Sequence, residues 1–261
     1  MIVTPKKFLG QHFLKDLNIA QNIADSLAVT GPTNVLEVGP GMGVLTQFLL
    51  KNPQINLKVV ELDRESVVYL NENFPDLKGR ILAEDFLKLD ISTLFGGESF
   101  CVIGNYPYNI SSQIFFKVLE HRDLVPICSG MIQKEVAERI AAKPNSKAYG
   151  ILSVLLQAFY DIEYLFTVHE HVFDPPPKVK SAVIRMRRNG VQRLDCDESL
   201  FIKVVKTSFN QRRKMLRNSI APLVPKDSSL LQDPIATKRP EQLSVQEFVS
   251  LTNRIENEIN K

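Results

Sequence analysis

Cysteine is scarce in this chain. Cys101, Cys128 and Cys196 stand far apart among 261 residues, with no C-x-x-C pair. That excludes a disulfide framework and offers no zinc-ligand spacing, so the three read as small core hydrophobes. Long apolar runs are also missing: none approaches the roughly 20 residues needed to cross a bilayer. The stretch Met1 to Leu14 carries two lysines but no continuous apolar segment and no small-residue cleavage site. No secretory signal is read there, and a cytoplasmic location is the expectation. Internal repeats and low-complexity tracts are absent. What remains, 44% apolar and 23% charged residues, is the composition of an ordinary globular protein with a sizeable core.

Net charge is only +3, yet it is unevenly spread. From Lys178 to Arg217 there are twelve Lys/Arg and three acids, +9, which leaves −6 for the rest. A basic sector hidden under a mild total is the footprint of a phosphate-binding surface, here a nucleic acid.

The hydrophobic pattern alternates between short buried runs and helical spacing. NVLEVG (34–39), LKVVEL (57–62), a short run near 80–82, FCVIGN (100–105) and PICSGMIQ (126–133) predict strands. Segments 16–28, 44–51, 64–73, 111–121, 134–142 and 150–160 predict helices. DIEYLFTV (161–168) and SAVIRMRR (181–188) alternate like a terminal antiparallel pair. This order predicts an α/β fold, a doubly wound, mainly parallel sheet with a late antiparallel hairpin. After Asn189-Gly190 the strands stop. Helices are predicted at 198–209, 211–221 and 244–259, broken by Pro222, Pro225, Pro234 and Pro240. The division is therefore a domain over 1–188 and a small helical domain over 189–261.

The first motif, Glu37-Val38-Gly39-Pro40-Gly41-Met42-Gly43, follows the first long strand directly. Its glycines permit a sharp turn and close approach of a ligand to the backbone. The dinucleotide fingerprint G-x-G-x-x-G would need glycine at 44, where Val44 stands. A nucleoside-type cofactor without a pyrophosphate, such as S-adenosylmethionine, suits G-x-G-x-G better. Glu61 ends the next strand, 22 residues past Gly39, where an acid accepts from ribose hydroxyls. Asp85-Phe86 follows the third strand: the carboxylate can accept from an adenine amine and the ring can lie against the base. Each acid alone would more often be a loop charge or a helix cap. Gly39, Glu61 and Asp85 at three successive strand ends converge on one crevice.

Asn105-Tyr106-Pro107-Tyr108 ends the fourth strand. An exocyclic adenine amine is a poor nucleophile because its lone pair is delocalised into the ring. A carboxamide oxygen and a backbone carbonyl, each accepting one N–H, hold it so that the lone pair turns toward a methyl donor. Proline stiffens that turn, and the next aromatic offers a stacking face worth about 1–3 kcal/mol per base. Neither metal nor covalent nucleophile is required; positioning and hydrogen bonds suffice. Plain turn chemistry is the bland alternative for these four residues. Phe173-Asp174-Pro175-Pro176-Pro177-Lys178-Val179 is a stiff extended segment that can present Phe173 as a second stacking face.

These residues carry a family. The chain resembles the small-subunit (16S) ribosomal RNA adenine N6,N6-dimethyltransferases, the KsgA type, through KKFLGQHFLKD (6–16), NVLEVGPGMGVLT (34–46), VVELDR (59–64), EDFL (84–87), GNYPYNISS (104–112), QKEVAERIAAKPNSKAYGILSV (133–154), VFDPPPKVKSAV (172–183) and FNQRRKMLRNS (209–219). The resemblance implies a Rossmann-like class I methyltransferase domain with a seven-stranded sheet and a small C-terminal helical domain. It implies S-adenosylmethionine as cofactor, held by Gly39, Gly41, Glu61, Asp85 and Asn105, with His12 and Leu14 closing over it. Asn105 and Pro107 would accept from the target amine, and Tyr108 and Phe173 would sandwich the base. Lys178, Arg212, Arg213, Lys214 and Arg217 would bind RNA, the last four from a helix opening the second domain. The implied reaction places two methyls on each of two adjacent adenosines in the hairpin loop near the 3′ end of small-subunit rRNA. It takes place on the assembling 30S subunit, with the enzyme a monomer.

The chain departs from the family's usual residues at three places. His12 stands for asparagine, Tyr106 for leucine and Lys180 for aspartate. Two other classes compete with this reading. A pure assembly or transcription factor on this fold would be expected to have lost Asn105 or the glycine turn. A nicotinamide-dependent oxidoreductase is disfavoured by Val44 and by the lack of a hydride-handling His or Tyr dyad. The macrolide-resistance large-subunit methyltransferases share N-x-P-Y, but GQ-x-FL and PPPKV favour the small-subunit type. His169-Glu170-His171 reads as a solvated strand end rather than a metal site.

Overall fold

In the computed structural model, which describes residues 3–6 and 9–260, helices and strands alternate as the apolar runs predict. A short strand β1 (Phe13–Leu14) precedes helix α1 (Leu17–Asp25), whose N-terminus is capped by the Asp16 side chain accepting from the Ile19 amide. Next come β2 (Thr33–Val38), α2 (Thr46–Leu50), β3 (Ile55–Val60), α3 (Arg64–Asn73) and β4 (Ile81–Leu82). Then follow β5 (Phe100–Asn105), α4 (Ser111–Glu120), β6 (Ile127–Gln133) and α5 (Lys134–Ala141). Helix α6 (Ile151–Gln157) leads into β7 (Tyr160–Val168), β8 (Phe173–Asp174) and β9 (Ser181–Arg188).

Seven strands form one sheet in the order β4-β3-β2-β5-β6-β9-β7. The β4–β3, β3–β2, β2–β5 and β5–β6 pairs are parallel, and β9 runs antiparallel to β6. Strand β5 is buried along its first five residues, the pattern of a parallel strand covered on both faces. Winding reverses between β2 and β5: β3 and β4 lie to one side, β6 to the other. Such a switch point opens a crevice at the carboxyl ends of the strands. Glu37 is opposite Ile103 in register, so Gly39 and Asn105 leave the sheet side by side.

The turn after β5 is anchored from beneath. Tyr106 is fully buried, its hydroxyl donating to the Ser129 carbonyl at 2.8 Å. Its ring lies in a notch that only glycine allows: a Cβ on Gly130 would sit 2.6 Å from that ring and 2.2 Å from the Gly104 carbonyl oxygen. The departure from leucine at 106 thus extends into the core beneath the turn.

The chain divides into two compact units, Met1–Ala137 with Asp161–Arg188, and Glu138–Tyr160 with Asn189–Lys261. Segment 138–160, assigned from the sequence to the first domain, therefore groups with the C-terminal helices α7 (Glu198–Asn210), α8 (Leu216–Ser219) and α9 (Val245–Ile259). The reason is apolar: Tyr149 tilts against Phe209, and Phe209 against Phe248 of α9. The helix expected over 211–221 is shorter. Met215 is extended and the Leu216 amide donates to the Lys238 carbonyl, which lets Leu216 and Ile220 be buried and leaves 211–214 as a turn. Among the described residues no helix is long and apolar enough to cross a membrane.

Candidate active site

A cleft of about 210 Å³ lies at the switch point. The turn after β2 forms one wall, with Gly39, Gly41 and Gly43 at φ +69°, +54° and +77°. At Gly43 the requirement is doubled, because a Cβ would come within 2.4 Å of the Phe74 ring. Glu61, just beyond β3, fastens this turn. One carboxylate oxygen accepts from the Gly41 amide at 3.0 Å and the other from the Asp63 amide at 2.8 Å. Burial pushes its carboxyl above the ordinary value, opposed by those two amides. Asp85 lines the cleft beside Phe86; its Oδ1 accepts from the Leu87 amide at 2.9 Å.

In the sequence Glu37 stands out only as the start of the glycine motif. It is fully buried at the end of β2 and accepts from the Thr46 hydroxyl at 2.7 Å. Burial pushes its carboxyl up to about 8, so it holds its proton at neutral pH. In the unfolded chain the proton leaves near the ordinary value of 4.5. Between those two values the folded state carries one proton more, so stability falls as pH rises through the window. This residue contributes at most about 1.4 kcal/mol per pH unit. Glu37→Gln is expected to flatten that slope, read as melting temperatures of both proteins at pH about 5 and about 8. Parallel slopes in the two proteins would remove Glu37 as its source. An acid inside an apolar strand is the signal the sequence offers.

The facing wall is the turn after β5. Asn105 directs its side-chain Nδ2 to the His12 carbonyl at 3.2 Å, leaving Oδ1 to accept. The Pro107 carbonyl accepts from Ile110 at 3.2 Å and keeps a second lone pair. A Cβ on Gly39 would lie 3.7 Å from the Pro107 ring, so the two turns meet. Tyr108 is half-buried, its hydroxyl bonded to that of Ser181; burial raises its phenol, opposed by that bond.

The N-terminal segment crosses this cleft. Leu9 to Leu14 line it, and β1 pairs antiparallel with β8, Leu14 opposite Phe173. His12 Nδ1 lies 2.8 Å from the Pro175 carbonyl, so that nitrogen carries the proton. Further back, Lys6 pairs with Asp63, which also accepts from Gln11 at 3.3 Å. Lys7 and Phe8 of the same motif lie outside the described residues.

One expected site residue is placed differently. Phe173 is 1% exposed and packs in the main apolar cluster; it does not line the cleft. Strand pairing with β1 turns its ring inward, where an apolar ring is favoured over contact with water. The ring that does face Tyr108 is His12, with centroids 5.4 Å apart and planes at 28°. His12, Leu14, Gly39, Gly41, Glu61, Asp85, Asn105, Pro107 and Tyr108 are thus brought together, and Phe173 is not.

The basic residues fall in both units. Lys178 is exposed on the segment after β8 of the first unit. In the second, Arg213, Lys214 and Arg217 are exposed, the first two on the turn after α7 rather than on a helix. Arg212 is engaged within the protein. Its guanidinium donates to the carbonyls of Ser146 and Lys147, tying the loop before α6 to that turn.

The model of a family described as ribosomal RNA adenine dimethylase matches residues 3–257. A ribosomal RNA small subunit methyltransferase A from Parabacteroides distasonis is 71% identical over 251 residues, 96% of this chain and 94% of the relative. Among solved structures, a dimethyladenosine transferase from Plasmodium falciparum shares the fold at TM-score 0.78, with 23% identity, covering 95% of this chain and 98% of that one. The 23S rRNA methyltransferase ErmE is similar at TM-score 0.67 and 25% identity, covering 94% and 99%.

Proposed function

Because this chain belongs to the ribosomal RNA adenine dimethylase family, we propose that it uses S-adenosylmethionine to dimethylate the N6 amines of two adjacent adenosines in the 3′-terminal hairpin loop of small-subunit rRNA. The observation that carries this reading is the meeting of the glycine turn and the Asn105–Tyr108 turn in one cleft between parallel strand ends. The substrate is the assembling 30S subunit, and the enzyme acts as a cytoplasmic monomer.

The cleft suits that cofactor. Glu61 is buried beside the glycine turn and has no ion-pair partner among the described residues. A ligand bearing a positive charge answers it. When bound, it supplies a methyl group on an electron-poor sulfur. Glu61 keeps lone pairs for two ribose hydroxyls after fastening Gly41 and Asp63. Asp85, with Oδ1 engaged by Leu87, offers its other oxygen to the adenine amine. His12 and Leu14 cover the cleft from the N-terminal side.

For the target base, Asn105 Oδ1 and the Pro107 carbonyl each accept one N–H of the amine, which turns its lone pair out of conjugation. Tyr108, held by Ser181, gives the stacking face. Bringing a base out of a hairpin loop costs less than out of a duplex, and the two acceptors wait in fixed positions.

The test is incubation with labelled S-adenosylmethionine and unmethylated small subunits, with the product mapped by mass spectrometry. Two adjacent N6,N6-dimethyladenosines near the 3′ end are expected. Label in large subunits instead would redirect the assignment toward ErmE-like chemistry, and no label in either would end it.

Arg213, Lys214 and Arg217 would grip rRNA phosphates, with Lys178 contributing from the cleft's own unit. The double variant Arg213→Glu, Lys214→Glu is expected to weaken RNA binding and reduce the slope of log affinity against log salt by about 1–2. Equal affinity and slope would remove this turn from the interface. Arg212 belongs outside that test, because its guanidinium holds the fold of its own unit.

A further inference from the structure

We propose that Lys117 is a positioning residue for adenine recognition: its buried ammonium clamps the turn that carries Asp85 and Phe86. It lies mid-way along α4 among Ile114, Phe115, Val118 and Leu119, with 9% exposure. A lysine in such surroundings is costly unless its donors are satisfied. Lys117 Nζ donates to the Leu87 carbonyl at 3.1 Å and to that of Leu89, and stands 5.3 Å from the centre of the Phe86 ring.

The turn is organised from both sides. Its amides point inward: Leu87 donates to Asp85 Oδ1 at 2.9 Å, and Lys88 and Leu89 donate to the Asp85 carbonyl at 2.9 and 3.0 Å. Its carbonyls point outward, and Lys117 takes two of them. Without that cation, two carbonyl groups lose a buried donor and the aromatic floor loses its charge. The charges near the ammonium are Asp85, Asp90 and Glu120, and burial holds it below the usual lysine value.

The same helix begins at Ser111, three residues after Tyr108. Helix α4 therefore joins the target-base turn rigidly to the adenine turn. Lys117 touches neither ligand; it acts through Asp85. The inference rests on the proposed reading of Asp85 as the acceptor for the cofactor's adenine amine.

The test compares two ligands by calorimetry, S-adenosylhomocysteine and its hypoxanthine counterpart, S-inosylhomocysteine. Hypoxanthine places a carbonyl oxygen where adenine has the amine, so an Asp85 acceptor discriminates against it. The full-length wild type is expected to prefer adenine by about tenfold or more. Lys117→Met should bind the adenine ligand about tenfold more weakly and prefer it by only about twofold. Lys117→Arg, which restores a cation with donors, should recover part of the preference. Should Lys117→Met not fold, Lys117→Gln carries the same comparison. A wild type that prefers adenine, with variants that keep the same ratio at any affinity, overturns the role of Lys117 and leaves Asp85 standing. A wild type with no preference overturns the Asp85 reading and this inference with it.

Discussion

Asn105→Ala is expected to slow methyl transfer by about a hundred- to thousandfold, the usual loss when one aligned hydrogen-bonding group leaves a reaction centre. Its amide nitrogen is already engaged by the His12 carbonyl, so Oδ1 is the atom left to accept from a purine amine. Alanine removes both bonds at once. Single-turnover rates with labelled cofactor and unmethylated small subunits measure the loss of the Oδ1 acceptor, and cofactor affinity measures the loss of the His12 contact. RNA affinity should stay close to wild type, because the phosphate contacts proposed above lie elsewhere. Asn105→Asp separates the two functions: it keeps an acceptor oxygen but loses the donor to His12. A rate for Asn105→Ala within a few-fold of wild type would remove this residue from the chemistry.

Glu61→Ala is expected to weaken cofactor binding by about a hundredfold or more, since hydrogen bonds to a charged group contribute about 1.5–3 kcal/mol each. The carboxylate has two duties. It accepts from the Gly41 and Asp63 amides, and in the proposed reading it accepts from the ribose. Alanine leaves two N–H groups without that partner and lets the glycine turn relax. Glu61→Gln keeps one acceptor oxygen and should fall between. Titration with S-adenosylhomocysteine, alongside a thermal melt, separates the lost ligand contacts from a loosened turn. Unchanged affinity in Glu61→Ala would place the ribose elsewhere.

Much of the fold is legible because its signals are local. FCVIGN reads as a buried strand without knowledge of its neighbours, and β5 covers those same residues. Three glycines in five residues announce a left-handed turn, and all three adopt positive φ. The second unit is less legible. Residues 211–221 have helical composition, but burial of Leu216 and Ile220 overrides it. Segment 138–160 has helical spacing that does not say which core its apolar face joins. Lys117 is hard to single out because a lysine in a helix usually marks its wet face. Its position three residues after Ile114, on the buried side, is the available hint.

The alternation of strands and helices, the glycine turn, and the Asn-x-Pro-Tyr turn at a strand end follow from local composition, because backbone preference and hydrophobic period act over a few residues. What meets across the cleft depends on contacts between distant parts of the chain. His12 reaches Pro175 over 163 positions, Asn105 reaches the His12 carbonyl over 93, and Lys6 reaches Asp63 over 57. Phe173 goes to the core and His12 to the face of Tyr108 because β1 pairs with β8, and which strand pairs with which is settled by the packing of the whole chain rather than by either segment.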